Sequence, residues 1–228
     1  MEIINRIPKM MSAARDLRAS GGRVGLVPTM GALHEGHLSL LMHAREMCDT
    51  LIASIFVNPA QFGPTEDYDK YPRDLARDAE LAFGKGVDLI FAPSSEEMYP
   101  KDFCSYVNVE GLGSKLEGAS RPGHFRGVTT VVTKLLNIVR PNFVFFGRKD
   151  AQQVVIVKRL IGDLGFDAEV VVCPTVREED GLALSSRNGY LSPEERKSAG
   201  VLKRALDKCR TMYNSGERNS GRLIVAMR

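Results

Sequence analysis

Two histidines three residues apart, His34 and His37, lie in the segment Pro28-Thr29-Met30-Gly31-Ala32-Leu33-His34-Glu35-Gly36-His37. Residues at that spacing share one face of a helix. These two would stand at the mouth of one, where unpaired backbone N–H groups and the helix dipole favour anions. Gly31 and Gly36 let the backbone approach a ligand closely. Imidazoles add hydrogen-bond donors and can take up charge as negative charge builds on a phosphate. The segment therefore reads as a nucleotide-phosphate site. Two other phosphate motifs do not fit it. A GxGxxG fingerprint is absent, since Gly25 lies inside a strand and Gly31 stands alone. Gly31 and Gly36 have the glycine spacing of a P-loop, but His37 replaces its Lys and Leu38 its Ser or Thr. A metal pair is disfavoured, because a third ligand would have to come from His43, His124 or scattered acids.

The surrounding pattern supplies elements to position this segment. Helices are expected over 10–19, 36–48, 75–83, 129–139 and 151–164. Strands are expected over 24–27, 51–57, 87–92, 143–146 and 170–173, several of them apolar on both faces as buried parallel strands are. Such alternation implies an α/β, Rossmann-like parallel sheet with right-handed crossovers. Ligands bind such sheets at the carboxyl ends of the strands. The polar, Gly- and Pro-rich stretches PTMGALHEGH, NPAQFGPTEDY, GRKDAQQ and PTVREEDGLALSSRNGY all follow strands, which describes one composite site. Beyond Val176 the character changes. Ser192-Pro193-Glu194-Glu195 is a helix start, with Ser at the N-cap, Pro at N1 and Glu at N3. One helix and a short tail are expected after it. The domain division is 1–175, a nucleotide-binding domain, and 176–228, a small C-terminal lid lobe.

The bulk properties exclude several classes. The 228 residues are 43% hydrophobic, enough for one sizeable core. A net charge of +3, with basic and acidic residues interspersed, gives no nucleic-acid stripe. Cys48, Cys104, Cys173 and Cys209 are far apart and form no CxxC pair, so they read as reduced thiols of a cytoplasmic protein. The start MEIINRIPKMM has no apolar h-region, and no stretch is long and apolar enough to span a membrane.

PTMGALHEGH resembles the HIGH-type motif of the nucleotidylyltransferase superfamily, and more specifically that of the pantothenate synthetase (pantoate–β-alanine ligase) family. Four further ordered blocks carry the same resemblance, as far as about Ser198: FVNPAQF (56–62), RPGHFRGV (121–128), FGRKDAQQ (146–153) and LSSRN (184–188). The resemblance implies ATP-dependent condensation of pantoate with β-alanine to pantothenate, AMP and pyrophosphate, through a pantoyl adenylate. ATP is then a substrate, accompanied by Mg²⁺. The alternatives are another nucleotidylyltransferase of the superfamily, or a shortened ATP-binding homologue without turnover.

By the same resemblance Met30, Gly31, Ala32, Leu33, His34, Glu35, Gly36 and His37 hold ATP, with His37 the catalytic histidine and His34 on phosphate. Gly147, Arg148, Lys149 and Asp150 also belong to the ATP site. Lys149 lies on phosphate and joins the catalytic set, Gly147 and Asp150 lie near ribose or Mg²⁺, and Arg148 faces solvent. Val176 packs near the adenine. Leu184, Ser185, Ser186 and Arg187 form a second ATP loop, with Leu184 replacing the family's usual Met. Gln61 and Gln153 bind pantoate, and Gln61 also β-alanine; Gln152 faces elsewhere. An amide can orient a carboxylate without neutralising it, as a bidentate Arg would. His124 takes a substrate-side position, at one remove from the ligand. A homodimer through the first lobe is implied, whereas the metal ligands are not. The family usually continues past Arg228, and the stretch SGERNSGRLIVAMR departs from its pattern.

Overall fold

The structure, a computed structural model, describes residues 2–228. Among the described residues, six strands form one sheet: β1 (Glu2–Ile4), β2 (Val24–Thr29), β3 (Thr50–Ile55), β4 (Leu89–Phe91), β5 (Phe143–Gly147) and β6 (Glu169–Cys173). Their order is β1-β4-β3-β2-β5-β6, and every pairing is parallel. The apolar runs that mark the central strands are buried on both faces, and each face collects alternate residues. Val24, Leu26, Ile52, Val144 and Phe146 pack with α1 (Ile7–Ala19), α6 (His124–Val139) and α7 (Ala151–Leu164). Val27, Leu51, Ala53 and Phe145 pack on the other side with α2 (Glu35–Met47) and α3 (Leu75–Gly84). The result is a three-layer α/β fold.

The chain winds outwards from β2 through β3 to β4, then returns to lay β5 and β6 on the opposite flank. The order therefore reverses between β2 and β5. Loops leaving the carboxyl ends of strands on either side of such a reversal diverge and open a crevice. β2 continues through Pro28 to Thr29, further than the expected strand over 24–27. Its pairing with β5 covers only Gly25 and Leu26, so Pro28 lies where β2 pairs with β3 alone.

Three expectations are corrected. β1 and the one-turn helices α4 (Ser95–Met98) and α5 (Glu117–Ser120) are too short to show a periodicity. α6 begins at His124, not 129. Gly123, at φ 86°, turns the chain into the helix, and Thr129 and Thr130 donate back to the carbonyls of Phe125 and Arg126 at 2.8 and 2.6 Å. The end of the chain is not one helix and a tail but three helices: α8 (Pro193–Ala199), α9 (Val201–Asn214) and α10 (Ser220–Met227). Gly200 separates the first two, and Gly216, at φ 104°, follows the end of α9.

The chain divides into two compact units, Met1–Pro174 and Thr175–Arg228. The second unit is held locally. An isolated antiparallel bridge joins Arg177 to Ala183, and Leu184 N–H donates to the Val176 carbonyl at 3.0 Å. Arg196 pairs with Glu178 and Asp180, and Asn188 donates to Glu178 at 2.6 Å. Ser192 and Glu195 form the expected capping box of α8.

Candidate active site

The loop after β2 is fixed from below. Thr29 Oγ1 donates to the Ser54 carbonyl at 2.8 Å and accepts the Gly31 N–H at 3.2 Å. Asp78, on α3 and 1% exposed, accepts the N–H groups of Ala32 and Leu33 at 2.8 and 2.7 Å. Those bonds require the left-handed backbone at Gly31 (φ 82°) and Ala32 (φ 51°). A Cβ on Gly31 would also stand 2.8 Å from the Asp78 carboxylate. Asp78 is absent from the site residues expected on sequence. Its signal there is a carboxylate four residues before Ala82 on the buried stripe of an amphipathic helix.

The two histidines then cap α2 reciprocally. His34 is the N-cap, and its Nδ1 accepts the Gly36 N–H at 3.1 Å. His37 Nδ1 accepts the His34 N–H at 3.3 Å, and the ring centroids are 4.1 Å apart. A nitrogen that accepts a backbone N–H carries no proton, so each neutral ring keeps its hydrogen on Nε2. Burial first, then the neighbouring His34 ring and the Lys149 ammonium, push the His37 pKa down to about 3. Burial and Lys149 also lower that of His34. These shifts describe the rings without an anion beside them. In that state both are neutral donors, and the positive charge in the neighbourhood belongs to Lys149.

The loop after β3 carries the next group. Pro59–Gln61 is a 3-10 turn, capped by Asn58, which accepts the Ala60 N–H at 3.3 Å. The turn lies hard against α6: a Cβ on Gly127 would be 2.1 Å from the Ala60 carbonyl oxygen, so this position admits only glycine. His124, 8% exposed at the start of α6, donates from Nδ1 to the Gln61 carbonyl at 2.8 Å. Its Nε2 faces Arg121 Nη1 at 3.2 Å, which favours that tautomer. Arg121 in turn grips Glu66 through two bonds of 2.8 and 2.5 Å. The block RPGHFRGV thus packs against the Gln61 turn. His124 holds its backbone.

The loop after β5 is the 3-10 turn Arg148–Asp150, leading into α7. Arg148, Lys149 and Asp150 are exposed, and Lys149 Nζ lies 3.6 Å from Asp150. One turn further on, Gln152 and Gln153 diverge. Gln152 donates to the Leu112 and Lys115 carbonyls at 3.0 and 2.7 Å and is occupied in holding that loop.

A cavity opens where these three loops meet. Met30, His37, Gln61, Asp150 and Gln153 line it, and Val128, Val131, Val132 and Leu135 of α6 form an apolar wall. Of the other expected ATP contacts, Leu33 is 1% exposed and belongs to the core, so its side chain is not a ligand group. Glu35 points to solvent. Val176, Leu184, Ser185, Ser186 and Arg187 belong to the second unit. There Ser185 caps a 3-10 turn, Ser186–Tyr190, by accepting the Arg187 N–H at 3.3 Å.

A family model described as pantoate-beta-alanine ligase matches residues 2–227. The chain belongs to the pantoate–β-alanine ligase family. The match runs to the last turn of α10, beyond the point near Ser198 where the sequence blocks give out, so the terminal stretch lies inside the family pattern after all. The pantothenate synthetase of Pelotomaculum thermopropionicum is 59% identical over 223 residues, 98% of this chain and 79% of the relative. That of Acetivibrio thermocellus is 55% identical, with the same coverage. The crystal structure of pantothenate synthetase from Thermus thermophilus superposes with a TM-score of 0.93 at 51% identity, covering 100% of this chain and 80% of that one. A Francisella tularensis pantoate-beta-alanine ligase, complexed with beta-gamma ATP and beta-alanine, gives 0.85 at 41% identity, covering 91% and 79%. The fold is accordingly that of the HIGH-type nucleotidylyltransferases in this family.

Proposed function

We propose that the protein is an AMP-forming ligase that condenses pantoate with β-alanine at the expense of ATP. The observation that carries the reading is the cavity at the β2/β5 reversal, where a two-histidine helix mouth meets two glutamines and an apolar wall. Pantoate has one carboxylate, two hydroxyls and a geminal pair of methyl groups. Gln61 and Gln153 offer amide groups to the polar atoms, and Val128, Val131, Val132 and Leu135 suit the methyls. The Francisella relative binds an ATP and β-alanine, in line with the same pair of ligands here.

In the first step a pantoate carboxylate oxygen bonds to the α-phosphorus of ATP. The bond from that phosphorus to the bridging oxygen breaks, and pyrophosphate leaves. Catalysis of such a displacement is mostly positioning and charge stabilisation. His34 and His37 donate from Nε2 to phosphate oxygens without giving up a proton, and Lys149 supplies positive charge. The N–H groups at the start of α2 add to this field. In the second step the neutral β-alanine amine attacks the acyl carbon, AMP leaves with the bonding electrons, and the ammonium proton goes to solvent. Gln61 serves both acids in turn.

Asp150 is the carboxylate that lines this cavity, and it is suited to Mg²⁺. One carboxylate suffices for an ion that also takes water and nucleotide phosphates. Bound there, Mg²⁺ would neutralise phosphate charge. Gly147 precedes the Arg148–Asp150 turn and Arg148 opens it, and both are assigned to the ATP site. Met30 and the backbone of Gly31, Ala32, Leu33 and Gly36 frame the cradle, with Glu35 at its rim. Leu184, Ser185, Ser186 and Arg187 are assigned to ATP on their sequence block, and Val176 on family resemblance. We also assign a cytoplasmic homodimer, on family resemblance; light scattering tests the oligomeric state.

The deciding experiment is pantoate-dependent ATP–pyrophosphate exchange without β-alanine. Exchange is expected, because the adenylate forms reversibly before the amine enters. Folded, ATP-binding protein that shows no exchange would remove the adenylate mechanism.

A further inference from the structure

Asn58 is 1% exposed, and its amide is fully engaged. Its Oδ1 accepts the Ala60 N–H at 3.3 Å, and its Nδ2 donates to the Gly127 carbonyl at 3.1 Å. A backbone N–H can only donate and a carbonyl can only accept, so these two groups settle which end of the amide is which. Nδ2 therefore donates its second hydrogen to Gln61, whose Oε1 lies 3.0 Å away. The remaining lone pair of Oδ1 accepts from the Tyr99 hydroxyl at 2.7 Å. Tyr99 lies between Phe56 and Phe103, with ring centroids at 6.2 and 5.0 Å. Burial raises its pKa, so it stays a donor. With Oε1 of Gln61 held from behind, its Nε2 points the other way, 3.0 Å from Met30 Sδ, where both residues line the cavity.

We propose that Tyr99 is a positioning residue for the pantoate pocket: through Asn58 it fixes the Gln61 amide so that only N–H donors face the ligand. The group bound against Gln61 is then an acceptor, a carboxylate or hydroxyl oxygen, and an ammonium is turned away. Tyr99 touches no reacting atom. Its effect passes through two hydrogen bonds, Tyr99 to Asn58 and Asn58 to Gln61. This inference rests on the function proposed above, since it presumes that an acid occupies the cavity.

The test compares wild type, Tyr99→Phe, Gln61→Ala and the double variant. Phenylalanine keeps the ring and removes only the hydroxyl. Tyr99→Phe is expected to raise the KM for pantoate by roughly fivefold, about the value of one neutral hydrogen bond, and to leave the KM for ATP unchanged. In the Gln61→Ala background the same substitution should change nothing further, because the group it orients is gone. A purely structural hydroxyl would cost equally in both backgrounds, or weaken both substrates alike; either result overturns the proposal. A second arm needs no turnover. The Asn58 side-chain amide protons of the ligand-free protein should exchange slowly with solvent in wild type and measurably faster in Tyr99→Phe. Unchanged exchange in that variant also overturns the proposal, whereas absence of pyrophosphate exchange in wild type counts against the proposed function alone.

Discussion

His37 shows how a single residue can be read twice. Its type and spacing suggest an imidazole that takes up charge on demand. Its surroundings hold it neutral, because burial, the adjacent His34 ring and Lys149 all disfavour a cation. The same shift has a cost in acid. An unfolded histidine titrates near 6.5, whereas His37 in the fold titrates at about 3. Between those values the unfolded chain binds a proton that the native protein does not, so stability falls as pH drops through that window. Urea denaturation between about pH 4 and 7 should show this decline, and His37→Asn, which cannot titrate, should make it shallower, leaving the part that His34 and His124 contribute. An unaltered slope in the variant would mean that another group carries the effect. The same variant loses the Nε2 donor proposed for the phosphates, and its adenylation rate should drop roughly a hundredfold with the fold retained.

Elements matter here as holders of loops. α3 contributes nothing to the cavity wall that holds Gln61 and Gln153, yet Asp78 projects from it into the loop after β2 and collects two backbone N–H groups. Asp78→Ala should leave those N–H groups unpaired in a buried position, a loss of about 2–4 kcal/mol measurable by denaturant titration. The KM for ATP should rise with it, and that for pantoate much less, because the loop carries the two histidines and not the glutamines. If the pantoate KM rose as far as that for ATP, the division of labour between the loops would be wrong. α6 plays the matching part for the loop after β3. Gly127 admits the Ala60 carbonyl, and His124 ties down the Gln61 carbonyl.

The whole molecule divides its groups between two units, Met1–Pro174 and Thr175–Arg228. The first carries the cavity and the helix mouth proposed to bind phosphate. The second carries Leu184–Arg187, whose proposed partner is ATP and not pantoate. Arg187→Ala should therefore raise the KM for ATP severalfold, as expected for loss of one charge-assisted contact, and leave the KM for pantoate unchanged. Steady-state kinetics with each substrate varied in turn would check this. The chain spans 79% of the length of the Pelotomaculum and Acetivibrio relatives, and the terminal helices α9 and α10 fall within the region that the family model matches.

Much of this was legible in the residues themselves. Apolar runs without alternation demanded strands buried on both faces, and the helical spacings between them demanded a layered α/β sheet. His34 and His37 stood out by their type and spacing in a Gly-rich loop after a strand, whereas Gln61 and Gln153 were marked only by the resemblance of their blocks to the family. What the sequence could not carry was everything that depends on contacts between distant segments. The start of α6 at His124 rests on a left-handed Gly123 and on threonines bonding back to carbonyls, neither of which has a period. The roles of Asp78, Asn58 and Tyr99 arise from partners 45, 69 and 41 residues away in the chain. The protonation of the two histidines belongs with these. Type and spacing placed them at a helix mouth, but only burial and the backbone N–H groups aimed at each Nδ1 decided that they are neutral donors, because a pKa is set by the surroundings of a group and not by its position along the chain.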